Sequence, residues 1–307
     1  MRLPGDLEIV RKLPPAGSSL EIAERYTAWL ATHHYENFTI ATWLLPRSLR
    51  QDFYNVYAYC RWADDLADEI SDSRAALEAL DWWQNELKEC YAAQATHAVF
   101  TALRKTVTRY DIPIDPFADL LKAFRQDQTV HRYQTWDALL QYCRYSANPV
   151  GHLVLYLFGY RDEERRRLSD YTCTALQLAN FWQDVSRDLD KDRIYIPLDL
   201  LSKSGLSESD LITRRADARY TELIRGLVER TRELFRLGQP LASSVAREFR
   251  VDLELFTRGG LAVLDAIESI GYNTLAIRPM LTRGTKLRLA GRAFSAHLLL
   301  KVSANGK

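Results

Sequence analysis

No stretch of this 307-residue chain stays apolar for the roughly 20 residues that a membrane-spanning helix needs. The longest candidate, Leu153 to Phe158, is far too short. Where a secretory leader would need an apolar core, the N-terminus has acidic residues and prolines, so no leader is read there. Cysteine is sparse: Cys60, Cys90, Cys143 and Cys173 are scattered and form no Cys-x-x-Cys pair, the usage of a reduced, cytoplasmic protein. An excess of one charge is also lacking. Lys and Arg number 41 against 40 Asp and Glu, so nothing global points to nucleic acid. The imbalance is local: from Arg278 through Arg283, Lys286, Arg288, Arg292 and Lys301 to Lys307 there is no acid, a tail suited to anionic headgroups or a diphosphate, or to solvent.

Strands alternating with helices, internal repeats and long linkers are all missing, which leaves an all-α chain. With 47% hydrophobic and 26% charged residues it can bury a sizeable core. Residues 1 to 17, rich in Pro and Gly, are expected to be a loose arm, and 18 to 303 a single domain. Ser18-x-x-Glu21 is expected to cap a helix reaching Thr32, and a short helix should end near Pro46. Further helices are expected from Pro46 to Ile70, from Ser73, from His97 to Tyr110, and from the Asp115-Pro116 cap to Arg125. Thr135 should cap a helix to Phe158 that Pro149 kinks by removing a backbone donor. A long helix then runs to Asp190, followed by the β-prone Ile194 to Pro197 and by helices near 208 to 237, 240 to 270 and 282 to 302.

Two acidic stripes lie on these helices. At about 100° per residue, Asp64 and Asp68 sit roughly 40° apart, with Arg61 and Asp65 in the same arc. Asp184 and Asp188 repeat the spacing, and Gln177 and Asn180 add amides upstream on helical intervals. A solvated face would explain either stripe alone, because like charges at this spacing cost an isolated helix only about 0.2–0.5 kcal/mol. The flanking residues speak against exposure: Tyr57, Tyr59, Trp62 and Leu66 surround the first stripe, and Leu176, Leu178, Phe181 and Trp182 the second. In a packed setting two carboxylates about 6 Å apart repel by about 3 kcal/mol. A cation is therefore expected between them, with the stripes facing each other across a central cavity.

Carboxylate and amide oxygens with few nearby thiols or imidazoles favour a hard cation. A di-iron site would want Glu-x-x-His, which is absent. Asp188-x-Asp190-x-Asp192 starts like a calcium loop, yet Arg193 occupies the place of the required Gly and Asp199 that of the bidentate Glu. Magnesium, which keeps waters and takes one or two carboxylates plus phosphate oxygens, suits separated pairs. Arg61 and Arg193 stand ready to complete a diphosphate grip.

The segment Tyr57-Ala-Tyr-Cys-Arg-Trp-Ala-Asp-Asp-Leu-Ala-Asp68 resembles the first aspartate-rich motif of the squalene and phytoene synthases, which are all-α isoprenoid synthases. Gln177-Leu-Ala-Asn-Phe-Trp-Gln-Asp184-Val-Ser-Arg-Asp188, continuing through Asp192-Arg193-Ile-Tyr195-Ile-Pro197, resembles their second. The likeness covers residues 20 to 290. It implies three Mg²⁺ ions with diphosphate, held by Asp64, Asp68, Asn180, Asp184 and Asp188. It also implies that His34, Asn37, Tyr57, Arg61, Gln177 and Arg278 line the diphosphate or prenyl pocket, and that Tyr142 lies near the reacting carbons.

Two departures from the family pattern stand out. Asn148-Pro149 replaces the usual Gly-x of Ala-Gly-x-Val-Gly, and Leu261 stands where a tyrosine is frequent. With His34-Tyr35-Glu36-Asn37-Phe38, Asn148-Pro149 resembles the bacterial hydroxysqualene synthase branch, which converts presqualene diphosphate and water to hydroxysqualene and diphosphate on the way to hopanoids. The resemblance thus implies ionisation followed by water capture, with Tyr35, Tyr142 and Asn148 as candidates to position the water. Aromatic faces at Tyr142, Phe181 or Trp182 would stabilise a carbocation, or simply fill core. Upstream and downstream pathway enzymes are the implied partners, with peripheral contact on the inner face of a membrane; no nucleotide fingerprint is present, and no NADPH is expected. The alternatives are an enzyme that condenses two prenyl diphosphates directly, to presqualene diphosphate, dehydrosqualene or phytoene, and a noncatalytic helical lipid-binding or assembly protein.

Overall fold

Helical periodicity in the sequence becomes helix throughout the computed structural model, which describes residues 8–33, 45–282 and 284. Those within 1–129 and 149–161 form one compact unit, and those within 130–148 and 162–307 a second. Among the described residues there is no strand; the β-prone piece makes a single parallel bridge, Arg132 to Ile194.

The first unit contains α1 (Glu8–Arg11), α2 (Leu20–His33), α3 (Arg47–Asp68), α4 (Ser73–Tyr91), α5 (Ala98–Tyr110) and α6 (Asp115–Gln126). Their apolar faces close on Tyr59, Trp62, Leu66, Leu80, Trp83, Phe100 and Phe117, all inaccessible to solvent. Trp62 and Trp83 stack at 5.1 Å, and Tyr59 meets Phe117 edge-on at 4.9 Å, so the helix carrying the first stripe is locked by large rings on the side away from its carboxylates. A buried polar network ties α3 to α5: Asp52 accepts from Thr106 Oγ1, Tyr110 OH and Arg109, and Asn55 Nδ2 donates to Ala102 O and Thr106 Oγ1. Part of the segment expected to be a loose arm is packed. Ile9 is buried, and its carbonyl accepts from Tyr26 OH at 2.7 Å.

Several helix starts fall one residue from their expected caps. Ser18 Oγ donates to Pro15 O rather than capping α2, and Ser19 Oγ accepts from Ile22 N at 3.4 Å. Asp72, not Ser73, caps α4 through Ala75 N, and Ile114 precedes α6, whose first residues are Asp115 and Pro116. The short helix expected to end near Pro46 lies outside the described residues, as does most of the 282–302 helix.

In the second unit α7 (Trp136–Ser146) starts at the expected Thr135 cap. It does not continue to Phe158. The chain breaks at Ala147 and restarts as α8 (Asn148–Leu157), whose Leu153 and Leu157 belong to the first unit's core; the proline ends one helix where a bend was expected. The long α9 (Glu163–Asp190), capped by Asp162, packs on α12 (Ala218–Gly238) and α14 (Arg247–Ser269). Two glycines permit the close packing: a Cβ at Gly238 of α12 would lie 2.3 Å from Thr172 Oγ1 of α9, and one at Gly260 of α14 would lie 2.8 Å from the Leu176 side chain of α9 and 2.4 Å from the Phe235 ring of α12. Short helices α10 (Leu198–Lys203), α11 (Glu208–Ile212) and α13 (Pro240–Ser243) complete this unit, so the helices expected at 208–237 and 240–270 are each interrupted.

Candidate active site

In the first unit the packed rings leave Arg61, Asp64, Asp65, Asp68 and Tyr57 on the remaining arc of α3. Asp64 is half-buried and Asp68 exposed. Asp65, which the sequence reading placed in the arc without a role, is only 2% exposed and takes the Arg61 guanidinium through Nη2. The same guanidinium lies 3.6 Å from Asp64 and 3.5 Å from Glu69, while its Nε is buried without a partner. Burial raises the Asp65 carboxyl to about 7, and Glu69 and Asp64 add to the rise against the pull of Arg61. Tyr57 is half-buried, and burial holds its phenol up near 12. Asp65 could have been found from the Arg61-to-Asp65 spacing, a helical ion-pair interval. His34, Tyr35 and Asn37 lie outside the described residues.

The second unit gathers the other candidates at the C-terminal end of α9. Gln177, Asp184 and Asp188 are half-buried and Asn180 is exposed, as one stripe of that helix. Arg278 reaches α9 across 94 residues of sequence: Nε donates to Asp184 Oδ1 and Nη2 to Oδ2 at 3.2 Å, a two-pronged pair. Burial and the neighbouring Asp184 raise Asp188 to about 7, although Arg193, Lys191 and Arg278 pull it down. Arg193 is placed by its backbone N–H, which donates to Asp188 O at 2.8 Å.

A residue that sequence reasoning missed holds this turn. Arg132 donates to Asp192 through its backbone carbonyl and its carboxylate, to His131 O at 3.1 Å and to Glu208 at 2.9 Å. It thereby stabilises the left-handed backbone of Asp192, φ +56°, just before Arg193. Asp192 and Asp190 thus pair with Arg132 and Arg214.

Tyr142 is buried in a group of rings: Tyr133 at 5.3 Å, Phe181 at 6.1 Å and Tyr195 at 6.1 Å, with Phe181 and Tyr195 stacked at 3.8 Å. Beside them a cavity of about 10 Å³, lined by Phe181, Asp188, Arg193 and Tyr195 among others, has room for about one water. Trp182 belongs elsewhere. Its ring is fully buried and its N–H donates to Thr231 Oγ1 at 2.8 Å, so it is core. Asn148 is buried, with its side-chain oxygen accepting from Thr174 Oγ1 at 3.0 Å, and two residues earlier Ser146 Oγ is buried without a partner.

Among the described residues no three His, Cys, Asp or Glu side chains are grouped to hold a metal ion. Each stripe instead offers carboxylate pairs partly balanced by arginine. Such donors fit a hard cation that completes its shell with water and phosphate oxygens.

The profile of the squalene/phytoene synthase family matches residues 31–285. The chain belongs to that family. Hydroxysqualene synthase of Rhodopseudomonas palustris is 35% identical over 226 residues, 73% of this chain and 76% of that protein. Phytoene synthase of Arthrospira platensis is 30% identical over 272 residues, covering 83% and 85%. Among solved structures, the squalene synthase HpnC from Alicyclobacillus acidocaldarius superposes with a TM-score of 0.80 at 44% identity, over 83% of this chain and 96% of that one. A dehydrosqualene synthase in complex with ligand shares the fold at 22% identity and the same TM-score, over 90% and 96%. The chain therefore has the all-α isoprenoid synthase fold, and its family is that of head-to-head isoprenoid synthases acting on isoprenoid diphosphates. No described helix is long and apolar enough to cross a membrane.

Proposed function

We propose that this family member is a hydroxysqualene synthase, converting presqualene diphosphate and water to hydroxysqualene and diphosphate. The observation that carries the reading is the 35% identity with hydroxysqualene synthase, together with the Asn148-Pro149 helix break. In the proposed step the carbon–oxygen bond to diphosphate breaks heterolytically, a water oxygen bonds the resulting cation, and a proton leaves. The balance needs no reductant. Mg²⁺, when bound, would neutralise the departing diphosphate; Asp64, Asp68, Asn180, Asp184 and Asp188 are its proposed ligands. Arg61, Arg193 and Arg278 would bind the diphosphate oxygens, Tyr57 and Gln177 would line the pocket with His34, Tyr35 and Asn37, and Tyr142 would present a ring face to the cation. The donors proposed to hold the attacking water are the Asn148 amide N–H and the Ser146 hydroxyl, since the Asn148 oxygen already bonds Thr174.

The site of action we propose is the inner face of the membrane, touched peripherally. Support comes from Ile277 and Met280, 54% and 58% exposed on either side of Arg278, and from the acid-free basic sequence that follows. The second reading, direct condensation of two prenyl diphosphates, is favoured by the long match to the Arthrospira platensis phytoene synthase. Product analysis separates the two. Presqualene diphosphate in H₂¹⁸O without NADPH should give singly labelled hydroxysqualene; an enzyme that ignores it and condenses farnesyl or geranylgeranyl diphosphate is a condensing synthase.

A further inference from the structure

We infer that Gln183 is a positioning residue for Arg278. On α9 the adjacent residues Gln183 and Asp184 grip the adjacent residues Pro279 and Arg278: Gln183 Nε2 donates to Pro279 O at 2.8 Å while Asp184 accepts the guanidinium. Gln183 is 8% exposed, so its amide is withdrawn from solvent and spent on this one carbonyl.

The geometry explains why the bond matters. After α14 the chain is fixed at Thr274, whose Oγ1 is 2.7 Å from Tyr220 OH, and at the buried Leu275. Ala276 and Ile277 are exposed, and what holds them is local: their N–H groups donate to Asn273, Ala276 to the side-chain Oδ1 at 3.2 Å and Ile277 to the carbonyl at 3.3 Å. Beyond that turn the next backbone atom held by another element is the carbonyl of Pro279, itself a buried residue. Consecutive Cα atoms are about 3.8 Å apart, and a residue before proline is restricted to extended backbone. Holding Pro279 therefore fixes where the Arg278 side chain starts and which way it leaves the chain. Without the Gln183 donor the Pro279 carbonyl is released and Arg278 rests on its Asp184 pair and on the burial of Pro279, so more of its ordering falls to the moment of binding. No signal in the sequence marks Gln183, since its partner lies 96 residues away.

The role rests on the proposed diphosphate contact of Arg278, and the test keeps the two apart. Calorimetry with inorganic pyrophosphate and Mg²⁺ would compare wild type, Gln183→Met, Arg278→Met and the double variant, with hydrogen exchange read over residues 273–282. Gln183→Met should weaken pyrophosphate by roughly three- to tenfold, the equivalent of one net hydrogen bond, and speed exchange in that segment. In the Arg278→Met background it should cost nothing further, because the two residues act through one contact. With presqualene diphosphate the loss should fall on both KM and kcat, while the melting temperature changes little. If Gln183→Met fails to fold, Gln183→Glu, which keeps the shape and replaces the donor by an acceptor, carries the same expectation. Wild-type pyrophosphate affinity in the Gln183 variant, or an equal loss with and without Arg278, overturns the inference and leaves the diphosphate reading standing. A wild-type protein that binds no pyrophosphate overturns both.

Discussion

Asp252 is buried in α14, 2% exposed, with neither carboxylate oxygen hydrogen-bonded, and burial raises its carboxyl to about 7. In the unfolded chain it ionises near the usual 3.8. The folded state thus favours the protonated form, so its contribution to stability is greatest below that value, falls as pH rises and is gone above about 7. Asp252→Asn removes the titration. Its advantage over wild type, from urea unfolding, should be larger at pH 8 than at pH 5 by about 2–3 kcal/mol. A pH-independent difference would show that something neutralises this carboxylate. The stripe carboxylates call for the opposite measurement, since their proposed work is with substrate. Asp64→Asn and Asp184→Asn should each lower turnover by about a hundredfold or more at unchanged helical circular dichroism, as expected when a charge that stabilises the departing group is lost without loss of volume. Wild-type turnover in either variant would remove that residue from the site.

At the scale of elements, the turn from Asp188 to Pro197 depends on another part of the chain. Arg132, contributed by the segment before α7, holds the left-handed Asp192 and pairs with Ile194, so it determines where Arg193 emerges. Arg132→Met should speed hydrogen exchange and proteolytic cleavage between residues 190 and 197 and lower kcat/KM, while α9 upstream of Asp184 keeps its protection. Unchanged exchange there would mean that the aromatic stack of Phe181 and Tyr195 holds the turn unaided. The break between α7 and α8 shows how a local rule underestimates its result. Pro149 removes one donor wherever it sits, but a kink becomes an end because residues 149–161 bury their apolar face in a different unit from α7.

For the whole molecule, the proposed chemistry makes stability depend on metal and anion together. Mg²⁺ with pyrophosphate should raise the melting temperature and EDTA should abolish the rise, whereas Zn²⁺ should serve poorly because the proposed donors are hard oxygens, and Ca²⁺ because a diphosphate cage suits the smaller octahedral ion. A rise with pyrophosphate that persists after exhaustive chelation would assign the binding to the arginines alone. What the sequence by itself determined is what helical geometry makes local: the all-α fold, the carboxylates at i and i+4 on α3 and α9, the Thr135 cap, a disturbance of the helix at Pro149, and the motifs that place the chain in its family. Those signals repeat every three or four residues and need no partner elsewhere. The tertiary structure alone decided which side chains serve them. Asp65 under Arg61 was within reach of the i, i+4 rule, but Arg278 on Asp184, Gln183 on Pro279, Arg132 on Asp192 and the assignment of Trp182 to core rather than site are contacts across 49 to 96 residues. A hydrogen bond of that span leaves no periodic trace in the sequence, because which donor meets which acceptor is set by how the helices pack and not by the spacing along any one of them.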